Sequence, residues 1–390
     1  MTTMIPYGRQ NINQADIDAV VEVLRSDFLT QGPVVPEFEK AVAAYCHANH
    51  AVAVNSATSA LHIACLALGV GKGDLVWTSP ITFVASANCA LYCGAEVDFV
   101  DIDPQTYNLS VDLLKEKLFH AEKAGTLPKV VIPVHLCGQP CDMEGIHALS
   151  KHYGFKIIED ASHAIGGRYK DEPVGNCKYS DITVFSFHPV KIITTGEGGI
   201  ALTNNEQLAK SMRLMRSHGI TSDKSDMVPC SPEELWNYQQ IVLGFNYRMT
   251  DIHAALGLSQ MQRLDVFVAK RRAIAKRYDK ELSDLPVVTP WQHPDGYSSY
   301  HLYIIRLKLG ELNKTHRQVY EALRTAGILV NLHYIPVYRQ PYYEKMGFNA
   351  GYCQQSEKYY SEAISFPIYP GLTEELQSEV VEMLCKILMG

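Results

Sequence analysis

Several patterns that would assign this chain to a broad class of protein are missing from its sequence. Only 20% of its 390 residues are charged, and 35 Lys and Arg against 42 Asp and Glu leave a net charge of −7. This balance lacks the excess of basic residues that is typical of proteins binding nucleic acid or acidic membranes. The sequence therefore predicts neither kind of partner, while it still allows a local basic pocket for a phosphorylated ligand.

The cysteines and glycines also lack the spacings of familiar metal and cofactor sites. The ten cysteines form no C-x-x-C pair, and the two C-x-x-x-C pairs have no nearby His-x-x-x-His partner, so we expect no metal site. The segment "GVGKGD" has neither the G-x-G-x-x-G spacing nor the Ser or Thr of a Walker loop. A nicotinamide- or ATP-dependent enzyme is therefore disfavoured.

Membrane and secretion signals are absent as well. The N-terminal segment "MTTMIPYGRQ" has no charged region followed by an apolar one, as a secretory signal would. Residues 75–95 form the longest uncharged run, but they include Pro80, Gly94 and several Ser, Thr and Asn residues. We therefore expect a cytoplasmic protein without a membrane-spanning segment, in which the cysteines are free thiols.

Short apolar runs alternate with helical segments through the first 205 residues. The runs lie at 51–54, 75–79, 96–103, 129–135, 155–160, 182–187 and 199–205. This alternation predicts an α/β fold, in which a mainly parallel seven-stranded sheet is flanked by helices. Ligands bind at the carboxyl ends of the strands in such sheets, so residues that follow these runs are candidates for a site.

The helical patterns, and a change in the pattern of predicted elements along the sequence, suggest how the chain is divided into domains. Residues 11–27 predict a helix with its N-cap at Asn13, and residues 255–282 predict one long helix that ends near Pro286. After it, shorter strand and helix patterns alternate and end in a C-terminal helix. We expect a large domain over residues 1–255, which includes the N-terminal helical segment, and a smaller α+β domain over residues 256–390, joined by the long helix.

A lysine beside a glycine-rich turn is the most informative local feature. Lys191 lies in "TVFSFHPVKIITTGEGG", after one strand and before the next. In a cleft, desolvation would lower the pKa of its amine and make it a nucleophile towards carbonyls, whereas an isolated lysine is more often a surface residue. Asp160 ends the run at 155–160. Its carboxylate would either cap a helix or pair with a protonated ring nitrogen, as pyridoxal 5'-phosphate (PLP) requires.

Two more segments suit the other parts of such a cofactor. In "NSATSALH", the amides of Ala57 and Thr58 open a helix and would bind a phosphate, or the segment is an ordinary Ser/Thr cap. Phe83 in "ITFVASAN" would stack on a pyridine ring, or lie in the core.

Together these stretches resemble the DegT/DnrJ/EryC1/StrS family of sugar-nucleotide aminotransferases, which have PLP fold type I. The matching stretches are "FLTQGPVVPEFE", "NSATSALH", "ITFVASAN", "IEDASHAIG", "FSFHPVKIITTGEGG" and "GFNYRMTDIHAALGLSQ". Their order and spacing extend the resemblance over essentially the whole chain. It implies PLP as cofactor, with pyridoxamine 5'-phosphate as its intermediate form, and a homodimer with shared active sites.

The resemblance also implies a role for each matching position. Lys191 would form the Schiff base with PLP and shuttle protons, Asp160 would pair with the pyridinium nitrogen, and His163 would approach the ring hydroxyl, where many relatives carry Gln. The residues implied to hold the cofactor are Lys191, Asp160, His163, Phe83, Ala57, Thr58, Ser186 and the partner subunit's Asn246. Those implied to contact the sugar nucleotide are Tyr7, Asp27, Phe28, Leu29, Thr30, His333, Tyr334, Ile335 and Pro336.

The implied reaction moves an amino group from L-glutamate to C4 of a 4-keto-6-deoxy sugar nucleotide. The stretches "PYGRQ", "DFLTQGP", "FHPVK" and "LVNLHYIPVY" are most similar to family members that make UDP-4-amino-4,6-dideoxy-N-acetyl-β-L-altrosamine for pseudaminic acid. Alternatives are an aminotransferase for a GDP-linked sugar, a PLP enzyme of different chemistry such as a desulfurase, and a non-enzymatic regulatory protein on the same fold. A dehydratase branch has His at the lysine position, so Lys191, with His188 three residues earlier, disfavours dehydration.

Overall fold

The chain folds around the seven apolar runs. A computed structural model describes residues 4–229 and 236–389. The described helices are α1 (Gln14–Arg25), α2 (Val34–Cys46), α3 (Ala57–Ala67), α4 (Ala85–Tyr92), α5 (Val111–Ala124), α6 (Met143–Tyr153), α7 (Glu206–Arg216), α8 (Asp251–Met261), α9 (Leu264–Glu281), α10 (His316–Thr325), α11 (Pro341–Glu344), α12 (Gln354–Glu362) and α13 (Glu374–Met389). The described strands are β1 (Ile5–Pro6), β2 (His50–Val54), β3 (Leu75–Thr78), β4 (Glu96–Phe99), β5 (Val130–Ile132), β6 (Lys156–Asp160), β7 (Arg168–Tyr169), β8 (Glu172–Pro173), β9 (Ile182–Ser186), β10 (Gly199–Thr203), β11 (Ile220–Thr221), β12 (Gln239–Gln240), β13 (Val287–Val288), β14 (Gly296–Tyr297), β15 (Tyr303–Leu307), β16 (Ile328–Leu329) and β17 (Ala363–Phe366).

The main sheet has seven strands in the order β2-β10-β9-β6-β5-β3-β4. Within it β10 runs antiparallel to β2 and β9, and the remaining pairs are parallel. Every residue of β9 and β10 is buried, because helices cover both faces of the sheet. Burial on both faces produces continuous apolar runs rather than alternation. The predicted α/β fold with a mainly parallel seven-stranded sheet is therefore confirmed.

The register of the sheet brings strand ends together at one edge. Gly199, the first residue of β10, pairs with Val54 at the end of β2 and with Ser186 at the end of β9. Asp160 ends the neighbouring strand β6. The chain after Val54 turns directly into α3, so the start of this helix also lies at the edge where Asp160 and Ser186 end their strands.

Helix α1 begins as the sequence predicts but buries a different face. Asn13 is its N-cap, with a reciprocal capping box to Asp16. The helical spacing of Ile17 and Leu24 predicts that they face a core, yet they are 48% and 55% exposed. The buried side instead carries Asp16, whose carboxylate accepts a hydrogen bond from Ser259 of α8 at 2.7 Å. A polar contact between helices therefore decides which face of α1 is covered.

The predicted single helix over residues 255–282 is wrong, because the structure has two helices there. Helix α8 ends at Met261 and α9 begins at Leu264. At the break, the guanidinium of Arg263 binds the side chain of Asn11 at 3.0 Å and forms an ion pair with Asp16. No glycine or proline marks this position, so long-range contacts with the N-terminal segment decide the break.

The C-terminal residues build their own apolar cluster. It includes Tyr278 of α9, Ile305 of β15, Val319 of α10 and Leu384 of α13, all essentially inaccessible to solvent. Strand β1 also joins it, since Ile5 pairs with Ile328 of β16 in a parallel bridge. The division into domains at residue 255, which lies within α8, stays a prediction.

The remaining predictions concern membranes and thiols. Within residues 4–229 and 236–389, no helix is both long enough and apolar enough to cross a membrane. The nine described cysteines are free thiols, and Cys230 lies outside the described residues.

Candidate active site

Lys191 lies in the loop between β9 and β10, where the sheet edge and buried neighbours surround it. Its backbone N–H donates to the carbonyl of His188 at 2.9 Å, and Ile192 and Ile193, which follow it, are buried. Desolvation lowers the pKa of the Lys191 amine to about 8, against the opposing effect of the Asp160 carboxylate. About a tenth of the amine is therefore unprotonated at pH 7, and this is the form that acts as a nucleophile and a proton acceptor.

Asp160 is held at the end of β6 by two serines. The hydroxyl of Ser86 donates to Oδ2 at 2.6 Å. The hydroxyl and backbone N–H of Ser162 donate to Oδ1 at 2.6 and 3.1 Å. The carboxylate is 5% exposed, so these donors fix its orientation in a largely desolvated position.

His163 is a neutral imidazole whose tautomer follows from its contacts. The backbone N–H of Cys137 donates to Nδ1 at 3.2 Å, so Nε2 carries the hydrogen and faces the hydroxyl of Tyr334 at 3.2 Å. Burial, together with the positive charge of Lys191, lowers the pKa of His163 well below its usual value. The residue can therefore donate a hydrogen bond from Nε2 without carrying charge.

Aromatic rings line the space beside these groups. The ring of Phe83 is 60% exposed and lies 6.4 Å from the ring of Tyr334. Because its partner is a tilted ring, one face of Phe83 remains available for stacking on a planar ligand. The predicted stacking residue is thus placed at the surface of the site rather than in the core.

Residues 333–336 and Tyr7 meet on the same side. The ring of Tyr7 lies 5.0 Å from that of His333, whose Nδ1 and the hydroxyl of Ser365 are 2.8 Å apart. Burial and the charge of Lys191 lower the pKa of His333 to about 3. Ile335 is exposed and Pro336 is buried. The structure therefore brings Tyr7, His333, Tyr334 and the Lys191 loop together.

The start of α3 lies so close to β10 that only a glycine fits opposite it. Ser56 caps the helix by accepting from the backbone N–H of Ser59 at 3.1 Å, which leaves the amides of Ala57 and Thr58 outside the helical pattern. A Cβ at Gly199 would lie 2.4 Å from the nitrogen of Ala57. Ser186, which pairs with Gly199, is therefore beside these amides, and the arrangement suits an anion at the positive end of the helix.

Asn246 lies close to the same helix start in its own chain. Its carbonyl accepts a hydrogen bond of 3.5 Å from the side chain of Asn55, and its backbone pairs with Ser217. The residue is exposed. Its role at the partner subunit's phosphate site stays a prediction.

The segment at residues 27–30 packs elsewhere. Thr30 forms a bridge with Thr250, and the carbonyl of Leu29 accepts from the N–H of Asp251 at 3.0 Å. Asp27, Phe28, Leu29 and Thr30 are all exposed. This segment therefore contacts the start of α8 rather than Lys191, and its role in binding a sugar nucleotide stays a prediction.

Sequence reasoning missed several residues that shape the site. Ser86 and Ser162 orient Asp160, Gly199 allows α3 to approach, and His301 packs on His163 at 4.4 Å between ring centroids. Ser86 and Ser162 occur in the stretches "ITFVASAN" and "IEDASHAIG", so their small polar side chains near a strand end were a usable signal. His301 had none, because only the tertiary fold brings it to His163.

The residues present fit PLP. The site offers an amine with a lowered pKa for an aldehyde, an oriented carboxylate for a ring nitrogen and a neutral imidazole donor for a ring hydroxyl. It also offers an exposed aromatic ring that can stack on a flat ring, and free amides beside Gly199 that can bind a phosphate. Among the described residues, no group of three or more His, Cys, Asp or Glu could hold a metal ion.

Comparison with known proteins gives consistent matches along the whole chain. The model of the DegT/DnrJ/EryC1/StrS aminotransferase family matches residues 10–385. A UDP-4-amino-4,6-dideoxy-N-acetyl-beta-L-altrosamine transaminase of Campylobacter jejuni is 39% identical over 390 residues, which are 99% of this chain and 98% of that protein.

Solved structures show the same architecture. Helicobacter pylori PseC, an aminotransferase involved in the biosynthesis of pseudoaminic acid, superposes with a TM-score of 0.90 at 30% identity and covers 99% of this chain and 100% of its own. The sugar aminotransferase Spr1654 of Streptococcus pneumoniae, described as putative, superposes in its PLP form with a TM-score of 0.87 at 29% identity, over 98% of both chains. Its PMP form gives 0.88 at 30% identity, again over 98% of both chains.

Proposed function

Because the chain belongs to the DegT/DnrJ/EryC1/StrS aminotransferase family and is a sugar aminotransferase, we propose that it uses PLP at Lys191 to aminate C4 of a UDP-linked 4-keto-6-deoxy-N-acetylhexosamine. The amino donor is L-glutamate, and the product is UDP-4-amino-4,6-dideoxy-N-acetyl-β-L-altrosamine, a precursor of pseudaminic acid. One observation carries the proposal: a partly unprotonated Lys191 amine shares the sheet edge with an oriented Asp160 and a neutral His163.

Each group holds one part of the cofactor. Lys191 Nζ would hold its aldehyde group, and the carboxylate of Asp160 would keep its ring nitrogen protonated. His163 would donate from Nε2 to its ring hydroxyl, and Phe83 would cover one face of its ring. The phosphate would be bound by the backbone amides of Ala57 and Thr58, the hydroxyl of Ser186 and the partner subunit's Asn246.

Proton transfer then needs only one residue. Bound PLP supplies an electron-withdrawing ring that stabilises negative charge on a carbon bearing the amino group. Once an amine substrate is bound, Lys191 Nζ would accept the proton from that carbon and would later return one. With a pKa lowered to about 8, this amine can act as both base and acid near neutral pH.

The sugar nucleotide would be bound by polar and aromatic groups rather than by a general basic field. The chain carries a net charge of −7, so phosphates must meet local amides and hydroxyls. Tyr7 and residues 333–336 lie beside the Lys191 loop and are the proposed sugar contacts. Residues 27–30 are exposed and are proposed to contact the nucleotide from the subunit interface.

A homodimer is the proposed working unit. A single chain leaves several large apolar residues exposed to solvent. They are Ile17 and Leu24 of α1, Phe28, and Leu243, which is 81% exposed. Large contiguous patches of exposed apolar surface mark protein interfaces, and we propose that these residues belong to one. Asn246 follows Leu243 by three residues, and its carbonyl accepts a hydrogen bond from Asn55, which comes just before the start of α3.

The first experiment compares wild type, Lys191→Ala and the surface control Lys178→Ala. Each purified protein is mixed with PLP, its visible absorbance is recorded, and L-glutamate is supplied with UDP-, GDP- or dTDP-linked 4-keto-6-deoxy sugars. We expect wild type and Lys178→Ala to bind PLP and to aminate the UDP sugar, as identified by mass and NMR. Lys191→Ala should fold but lose activity by on the order of 10²- to 10⁴-fold, because its proton carrier is gone.

The outcomes separate the parts of the proposal. Undiminished turnover by Lys191→Ala, or no PLP absorbance in wild type, would refute the assignment of the site. Amination of the GDP-linked sugar in preference to the UDP-linked one would leave the chemistry intact and replace the proposed substrate with the GDP-linked alternative.

A further inference from the structure

The segment that carries Asn246 is extended, and its successive side chains point to opposite faces. A backbone bridge joins Asn246 to Ser217, and the amides of Phe245 and Tyr247 donate to carbonyls at the end of α7 at 2.7 and 3.0 Å. The rings of Phe245 and Tyr247 stack with centroids 4.9 Å apart and planes 13° apart, so both lie on one face. Asn246 therefore lies on the other face, where it is exposed.

His62 of α3 contacts both of the stacked rings. Its Nδ1 and the hydroxyl of Tyr247 are 3.1 Å apart, which is hydrogen-bond distance. Its ring centroid lies 4.8 Å from that of Phe245 and 5.9 Å from that of Tyr247. His62 is only 5% exposed. The face of the segment opposite to Asn246 is thus held against α3 by a buried side chain.

This contact has a different effect from the backbone hydrogen bonds of the segment. The backbone bonds align the segment with its neighbours, whereas the buried face specifies which side chains point outward. Helix α3 also begins with the amides of Ala57 and Thr58, which are the proposed phosphate ligands of its own subunit, and His62 follows in its second turn. One helix therefore contacts both the phosphate site of its own subunit and the segment that carries Asn246.

We propose that His62 is a positioning residue for the phosphate site of the neighbouring subunit. Through Tyr247 and Phe245 it holds Asn246 in the orientation in which its side chain reaches across the dimer interface. His62 itself touches neither cofactor nor substrate. This assignment rests on the proposed function, because it requires PLP, a homodimer and a phosphate contact by Asn246 across the interface. Loss of His62 should then weaken cofactor binding at the partner's site rather than at its own.

The first test compares three variants as full-length homodimers. His62→Leu removes the ring and its hydrogen bond, Tyr247→Phe removes only the hydroxyl, and His147→Leu on α6 is the control, since that histidine is half-buried and lies within hydrogen-bond distance of the carbonyl of Tyr179. PLP affinity is measured by titration, followed by the visible absorbance of lysine-bound PLP. We expect His62→Leu to bind PLP roughly tenfold more weakly, Tyr247→Phe to show a smaller loss, and His147→Leu to match wild type.

A mixed dimer then shows at which site His62 acts. Lys191→Ala and His62→Leu chains with different affinity tags are co-expressed, and the mixed dimer is purified through both tags. The absorbance of lysine-bound PLP reports only the site of the His62→Leu chain, which keeps Lys191 and receives Asn246 from a chain with an intact His62. We expect this site to bind PLP with wild-type affinity. Affinity as weak as that of the His62→Leu homodimer would show that His62 acts within its own chain and would overturn the proposal.

The remaining outcomes separate this proposal from the proposed function. A His62→Leu homodimer with wild-type PLP affinity would overturn the role of His62 as well. If His62→Leu does not fold, as judged by thermal unfolding without cofactor, Tyr247→Phe replaces it in the mixed dimer and the same two results decide. Failure of wild type to bind PLP, or an Asn246→Ala homodimer with wild-type affinity, would instead refute the proposed cofactor site, so the two failures are distinguishable.

Discussion

At the scale of single residues, the site depends on three groups whose protonation and orientation are set by different causes. Desolvation lowers the pKa of Lys191, hydrogen bonds from Ser86 and Ser162 orient Asp160, and burial next to positive charge keeps His163 neutral. Each condition comes from neighbours rather than from the residue itself. Removing one neighbour should therefore change the chemistry while the catalytic side chain remains.

Ser86→Ala tests this dependence. The variant loses the bond of 2.6 Å to Oδ2 of Asp160, so the carboxylate is less firmly aligned with the ring nitrogen. A hydrogen bond to a charged group contributes about 1.5–3 kcal/mol. We expect kcat to fall by at least about tenfold with little change in KM, measured by steady-state kinetics with saturating PLP.

Ser180→Ala is the matched control for this variant. The hydroxyl of Ser180 binds Glu159, the residue before Asp160, whose side chain points to the opposite face of the strand. Its loss should lower stability but leave kcat unchanged. Equal effects of the two variants on kcat would contradict a specific role for Ser86.

At the scale of elements, the closest approach in the site is between the start of α3 and the start of β10. The backbone of Gly199 lies so near to Ala57 that a Cβ would stand 2.4 Å from its nitrogen and 2.5 Å from the carbonyl carbon of Ser56. No side chain separates strand from helix there. The free amides of α3 can therefore lie directly beside Ser186 at the end of β9.

Gly199→Ala should separate these two elements. Overlap with backbone atoms must move the helix or the strand, at a cost of about 1–3 kcal/mol. We expect a lower Tm and roughly tenfold weaker binding of PLP, measured by thermal unfolding without cofactor and by PLP titration.

Gly71→Ala provides the comparison, because a Cβ at Gly71 would meet no atom within 4 Å. It should leave both Tm and PLP affinity close to wild type. If Gly199→Ala binds PLP as wild type does, the close approach is not what forms the phosphate site.

At the scale of the whole molecule, the site draws on distant parts of the chain. Asp160 and Ser186 come from the main sheet, and Lys191 comes from the loop between β9 and β10. His333 and Tyr334 come from the C-terminal segment, and Tyr7 follows a strand that pairs with β16. The exposed apolar residues of α1 and of residues 241–243 lie outside this assembly. They are the surface that the proposed dimer would cover.

A mixed dimer tests whether Asn246 acts across that interface. Lys191→Ala and Asn246→Ala chains with different affinity tags are co-expressed, and the mixed dimer is purified through both tags. If Asn246 serves the partner subunit's site, one site of the mixed dimer contains both intact residues. Activity should then approach half that of wild type, while each parent variant is impaired.

The same experiment has a clear negative result. If Asn246 serves its own chain, neither site of the mixed dimer is intact and its activity stays as low as that of the parents. Light scattering supplies the second measurement, because a fully active PLP-bound protein with the mass of one chain would also contradict the dimer.

Local sequence patterns were enough to predict the main sheet and to single out Lys191 as the proposed catalytic lysine. Strands buried on both faces must be continuously apolar, so all seven were recognisable locally, and the same pattern placed Asp160 at a strand end. Ser186 was implied by the family resemblance alone, since the apolar run at 182–187 extends one residue beyond it. The tertiary structure alone decided contacts between residues far apart in the chain. Ser86 meets Asp160 across 74 positions, Arg263 breaks a helix by binding Asp16, and His301 reaches His163. Periodicity reports which face of one element is apolar, but such polar contacts depend on how separate elements are arranged in space.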